Sequence, residues 1–168
     1  MKDAEYWVDK LGMQPHPEGG YFCEVYRSHE RVAESALPQR YGGSRSFSTS
    51  IYFLLKAGQF SRLHRLQSDE LWHFYTGSPL KIHLFQPDGR YTCEKLGSNP
   101  EEGESFQVLA PLGTWFGGDS LESESYSLVG CTVAPGFDFE DFELAEREVI
   151  QELYPEHREL IQRLTLRR

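Results

Sequence analysis

The chain has 168 residues, 14% of them aromatic, which suits one folded domain with its own apolar core and not a disordered segment. Lysine and arginine total 17 against 26 aspartates and glutamates, a formal net charge of −9. That balance disfavours nucleic acid and anionic membranes as partners, since both select a basic surface.

In chain order, MKDAEYWVDKLGM is acidic and amphipathic and lacks the apolar core of a signal peptide. No apolar run reaches the roughly 20 residues of a membrane-spanning helix, so a cytoplasmic location is expected. Residues 3–12 read as a short helix with Tyr6, Trp7 and Leu11 on one face. QPHPEGG (14–20) stops it with two prolines and two glycines, and YFCEVYRS (21–28) then alternates like a strand. His29 to Arg45 is polar and reads as a long loop of the kind that often carries function.

Short strand-like runs follow at 46–56, 60–66, 70–76, 80–86, 91–97, 105–111 and 126–135, separated by Gly-, Pro- and Asp-rich turns. Such spacing predicts a β-sandwich or barrel. From Glu143 the period changes, and Leu144, Val149, Leu153, Leu160, Ile161 and Leu164 predict one or two helices broken at Pro155. No linker divides residues 1–168. Strands such as SIYFLL are apolar on both faces. One face fills the barrel, and a partner subunit is the simplest cover for the other, so a homodimer is expected. Cys23, Cys93 and Cys131 form no C-x-x-C pair and read as free thiols, small and buried.

One stretch carries the chemistry, GQFSRLHRLQSDELWHFYTG at 58–77. Gly58, His64, Glu70 and Gly77 resemble the first motif of the cupin superfamily, G-x5-H-x-H-x3-4-E-x6-G. Pro111 and Gly113 echo the P-x-G of its second motif. PHPEGGYF (15–22), STSIYFLL (48–55), HRLQSDELWHFYTG (64–77) and CTVAPGFDFEDFEL (131–144) further resemble the fifth cupin group, a small family listed as a domain of unknown function. The resemblance implies an all-β, single-domain jelly roll (a double-stranded β-helix barrel) with short N- and C-terminal helices, dimeric and with one pocket. It implies no particular reaction.

Metal-binding cupins use two His and a Glu from the first motif and a His from the second. Here the second His position is Leu66 and the second-motif His position is Phe116. One imidazole and one carboxylate are too few to hold a transition metal tightly, so no metal or other cofactor is expected. Strand alternation turns His64, Arg62 and Leu66 to one face, and Glu70, Trp72 and Phe74 to one face, with His73 opposite.

A His and a Glu facing each other in an apolar barrel make an acid–base pair, with His64 and Glu70 as the catalytic candidates. The metal-independent epimerases of keto sugars within the cupins are the nearest analogy. Trp72, Phe74 and Phe116 are candidate aromatic walls for a sugar-like ligand. Arg62, Glu18 and His73 are further ligand-binding candidates, and Arg27 and Arg65 are candidate anion contacts. The acidic residues of GFDFEDFE read as solvated charge on a loop anchored by its phenylalanines. The expectation is a barrel that binds a small polar, sugar-like molecule, with isomerase or epimerase chemistry. The alternatives are a non-catalytic binding module, or a metal-dependent cupin enzyme with a reduced ligand set.

Overall fold

Period-two alternation takes most of the chain into β-structure. The structure, a computed structural model, describes residues 2–122 and 124–166. Its strands begin with β1 (Gln14–Pro15), β2 (Tyr21–Arg27), β3 (Arg31–Val32), β4 (Arg45–Ser46) and β5 (Thr49–Leu55). The middle of the chain forms β6 (Phe60–Arg65), β7 (Asp69–Gly77), β8 (Leu80–Phe85) and β9 (Tyr91–Leu96). The series closes with β10 (Glu104–Ser105), β11 (Gln107–Ala110), β12 (Trp115–Ser120), β13 (Ser127–Ala134) and β14 (Glu143–Leu144). The helices are α1 (Ala4–Leu11), α2 (Arg147–Leu153) and α3 (Arg158–Arg163).

Two six-stranded sheets face each other, ordered β1-β2-β5-β13-β7-β11 and β10-β9-β8-β12-β6-β14. This is the jelly roll that the motif resemblance implies. Between the sheets lies the main core, which includes Phe53, Leu66, Trp72, Ile82, Phe116 and Val129. The outer face of the second sheet is covered by α2 and α3, where Leu63, Phe85 and Trp115 meet Ile150, Ile161 and Leu164. The buried face of α2 is therefore Ile150 and not Val149 or Leu153, which are 48% and 60% exposed. Helix α1 lays Trp7, Val8 and Leu11 on Leu54 and Leu128, at one end of the first sheet. No described helix is long and apolar enough to cross a membrane.

Two segments depart from the sequence reading. The 29–45 stretch is not an open loop. It contains the β3–β4 ladder, and buried Tyr41 bonds the Gln67 carbonyl (2.8 Å) and Ser68 Oγ (2.7 Å). Strand β12 was not among the expected strands, although it is central, between β8 and β6. Its Gly117–Gly118 pair has no side chains to show alternation. A Cβ at Gly117 would stand 2.6 Å from the Ser61 carbonyl oxygen, so glycine is what lets β12 approach β6.

Candidate active site

The site begins with a turn. His16 N–H donates to the Gly20 carbonyl (3.0 Å) and Gly19 N–H to the His16 carbonyl (3.0 Å), folding HPEGG back on itself. Gly19 and Gly20 have φ of 109° and 70°, a region that a side chain disfavours. A Cβ on either would meet backbone oxygen, Phe60 at 2.5 Å or Leu54 at 2.6 Å. The tight turn presses Glu18 against β6, where Arg62 N–H donates to the Glu18 carbonyl at 2.7 Å. The Glu18 side chain points inward and is 6% exposed.

Inside, Ser61 Oγ donates to Glu18 Oε1 (2.8 Å), and His64 Nε2 lies 3.2 Å from Glu18 Oε2. His64 Nδ1 sits 2.7 Å from the Arg62 carbonyl, which can only accept. So Nδ1 carries hydrogen, and one further proton is held between Nε2 and the Glu18 carboxyl. His16 Nδ1 accepts the Glu18 backbone N–H at 3.1 Å, which places the His16 proton on Nε2. His64 packs against Phe116 (4.2 Å between ring centroids) and Phe142 (5.3 Å), and is 1% exposed.

The partner of His64 is thus Glu18 and not Glu70. Glu70, on β7, is also 6% exposed, and it lines a cavity of about 250 Å³ together with Glu18 and His16. The apolar walls are Phe22, Ile51, Val133, Phe137 and Phe139, and Cys131 lies beside Glu70. Exposed Glu24 and Arg27 stand at the mouth with Asp138. Arg27 is already engaged, by both Glu24 oxygens (2.9 and 3.0 Å) and by the Phe137 carbonyl (3.0 Å).

Burial sets the protonation states. It raises Glu18 against the opposing influence of His16, Ser61 and Arg62. Burial, reinforced by the charge of Glu18, raises Glu70 to about 8, although Cys131 and Trp72 pull the other way. Burial lowers His64 to about 4 despite its bond to the Arg62 carbonyl, and it lowers His16 although Glu18 opposes this. The Cys131 thiol is pushed well up by burial and by the two carboxylates. At neutral pH the cavity therefore holds neutral imidazoles and a mainly protonated Glu70, a proton donor on the cavity wall.

The other candidates fall elsewhere. Trp72 and Phe116 are packed in the core, and Phe74 packs against it, so these three are not the aromatic walls. The walls come from Phe22 and the 137–139 loop, which carried no motif signal. Arg62 lies on the far side of the HPEGG turn, where its Nη2 donates to the Pro17 carbonyl. His73 points to the outer face, between Thr132 Oγ1 (3.0 Å) and Gln107 Nε2 (3.1 Å). Arg65 pairs with Glu143 at 2.7 Å and covers the Trp115 ring, away from the cavity. His16 was overlooked, and its only signal was its place two residues before Glu18. In GFDFEDFE, Asp141 is not solvated: Arg45 grips both of its oxygens at 2.7 Å, with side chains 3% and 7% exposed.

A cupin metal does not fit these residues. Leu66 and Phe116 are apolar and buried where ligands would stand, and His64 turns Nδ1 to a carbonyl and Nε2 to Glu18. Among the described residues no group of three or more His, Cys, Asp or Glu side chains is placed to hold a metal ion.

Comparison with known proteins agrees with this architecture. The sequence model of the Cupin superfamily (DUF985) matches residues 5–145. An uncharacterized protein of Saccharomyces cerevisiae, YML079W, is 33% identical over 137 residues, 75% of this chain and 67% of its own. The crystal structure of protein SO0799 from Shewanella oneidensis is 38% identical, with a TM-score of 0.90 over 100% of both chains. A hypothetical protein from Leishmania major is 37% identical, with a TM-score of 0.85 over 98% of this chain and 99% of its own. Oxalate decarboxylase of Bacillus subtilis shares the fold at 18% identity and a TM-score of 0.54, over 94% of this chain and 38% of its own.

Proposed function

The chain belongs to the DUF985 family of the cupin superfamily, and on that premise we propose that its barrel binds a small, neutral, sugar-like carbonyl compound and moves a proton on it without a metal. The observation that carries this reading is the protonated Glu70 facing the cavity, across from the proton shared by Glu18 and His64. The proton shared by Glu18 and His64 moves onto His64 Nε2, Glu70 donates its own proton to the carbonyl oxygen, and the Glu18 carboxylate so freed takes the proton from the adjacent carbon. His64 and Ser61 stabilise Glu18 as its charge changes. A volume of about 250 Å³ lies just below the usual range of ligand pockets, about 300–1,000 Å³, and suits one ring. The acidic Glu24 and Asp138 at the mouth, with Arg27 engaged, disfavour strongly anionic ligands.

A second reading, binding without turnover, is favoured by His64 itself. It is 1% exposed and does not line the cavity, so it acts only through Glu18. One experiment separates the two. Neutral keto sugars and aldoses are screened by thermal shift, and the binders are incubated in heavy water. Deuterium entering beside the carbonyl with wild-type protein, and lost in both Glu70→Gln and His64→Ala, supports the enzyme. Binding with no exchange leaves the binding module. If no neutral sugar raises the melting temperature, both readings fall.

A further inference from the structure

A second constellation lies outside the barrel, in the groove between the second sheet and the C-terminal helices. His83 on β8 is the register partner of Cys93 on β9. His83 is 3% exposed, whereas Cys93 is exposed. Asp119 on β12 fixes the ring, with Oδ1 at 2.8 Å from His83 Nε2. Arg163 of α3 holds the other Asp119 oxygen at 3.0 Å. With Nε2 donating to Asp119, the neutral ring presents Nδ1 as an acceptor towards the Tyr91 hydroxyl at 2.9 Å, and Cys93, its register partner, stands on the same face of the sheet and lines the same groove. Nucleophile, base and orienting carboxylate thus stand in a row, the arrangement that activates cysteine elsewhere.

The cleft itself is large, about 830 Å³, and is lined by Cys93, His83 and Tyr91. Its cations are Lys81, Arg158 and Arg163, and its anions are Glu156 and Glu159. His157 packs at a tilt against Tyr91, with ring centroids 4.3 Å apart. Such mixed charge suits a zwitterionic ligand better than a simple anion. None of these groups belongs to the barrel cavity.

We propose that Cys93 is a reactive thiol served by His83 and Asp119, and that the groove takes low-molecular-weight, zwitterionic disulfides, which it captures as mixed disulfides. The Cys93 proton passes to His83 Nδ1, and the imidazolium is held by Asp119. The thiolate attacks one sulfur of the disulfide. A new Cys93 S–S bond forms as the ligand S–S bond breaks, and the departing thiolate takes the proton from His83. The disulfide is the oxidant and is reduced to one free thiol and one protein-bound half. The electrostatics agree. The bond from His83 holds the Cys93 thiol below its ordinary value, against burial. His83 is raised because Asp119 and Cys93 outweigh its burial.

The protein carries its own control, since Cys23 is half-buried and Cys131 is buried. Whole protein is treated with oxidised glutathione near neutral pH, and each cysteine peptide is followed by mass spectrometry over time and pH. Cys93 is expected to be modified about tenfold or more faster than Cys23, with a pH midpoint below that of an ordinary thiol. His83→Gln and Asp119→Asn are expected to slow Cys93 about tenfold and move its midpoint up, with Cys23 unchanged. Equal rates at Cys93 and Cys23 in wild-type protein, or an ordinary midpoint, overturn the proposal even if a variant fails to fold. A folded His83→Gln variant in which Cys93 reacts as fast as in wild type overturns it too.

Discussion

Glu70 and His64 respond to pH in opposite senses, which makes the cavity's protonation measurable. Glu70 holds its proton more tightly folded than unfolded, at about 8 against an ordinary 4.5. Its contribution to stability is complete below 4.5 and is lost as pH rises through about 8, by up to about 1.4 kcal/mol per pH unit. His64, at about 4 against 6.5, contributes fully above 6.5 and loses that contribution as pH falls towards 4. Glu70→Gln keeps the neutral shape and removes only the first slope. The melting temperature of wild type relative to this variant should fall from about pH 5 to about pH 8 and then level off. Parallel curves would mean that Glu70 titrates like a surface carboxylate. Alternation in the sequence placed Glu70 and Trp72 on one face and His73 on the opposite one; the structure turns the first face inward. It could not place Glu18 beside His64, because that contact depends on how the HPEGG turn crosses β6, a tertiary matter that no local period encodes.

At the scale of elements, the strands that could be read were those with side chains to alternate. Strand β12 broke that rule at Gly117 and Gly118, where the need is close backbone approach and not a buried side chain. The two glycines differ, and the difference is testable. A Cβ at Gly117 would collide with the Ser61 carbonyl at 2.6 Å and approach Leu63 N at 3.2 Å, all backbone. At Gly118 it would meet the Ile82 Cδ1 methyl at 3.2 Å, the movable end of a side chain. Gly117→Ala should therefore cost about 2–3 kcal/mol in denaturant unfolding, and Gly118→Ala about 1 kcal/mol or less. Equal costs would show that β6 shifts freely. The loop from Pro135 to Phe142 was legible as anchored, through its phenylalanines, but its ionic anchor was not. Arg45 and Asp141 lie far apart in sequence and meet only in the fold. Removing one partner of so buried a pair is expensive, so Asp141→Asn should lower stability by about 3 kcal/mol and loosen the wall formed by Phe137 and Phe139. A drop within about 0.5 kcal/mol, measured by the same unfolding, would place the anchor in the aromatic contacts instead.

For the whole molecule, the two sheets are covered unequally. The second sheet is roofed by α2 and α3, whereas α1 covers only part of the first. What stays open on the first sheet includes large apolar side chains, Tyr26, Tyr75 and Leu109, 53%, 48% and 47% exposed on its outer face around the polar His73, Thr132 and Gln107. Strand β11 is also an unpaired edge of that sheet. Tyr75 lies across Gly130, where a Cβ would stand 2.3 Å from its hydroxyl, so a flat aromatic surface is built in and not accidental. Apolar strands with two faces were visible in the sequence, and helices cover the outer face of the second sheet but only part of the first. We propose a second copy as the occupant, because the same edge and face would recur on it and such a contact can close on a two-fold axis. Light scattering should then give twice the chain mass for wild type, and Leu109→Arg with Tyr75→Arg should give one chain mass. The barrel cavity opens elsewhere, past Glu24 and Asp138, so ligand binding should survive the separation. A wild-type protein that stays monomeric at every concentration would mean that this face serves a different partner. A double variant that remains dimeric would move the contact to another surface.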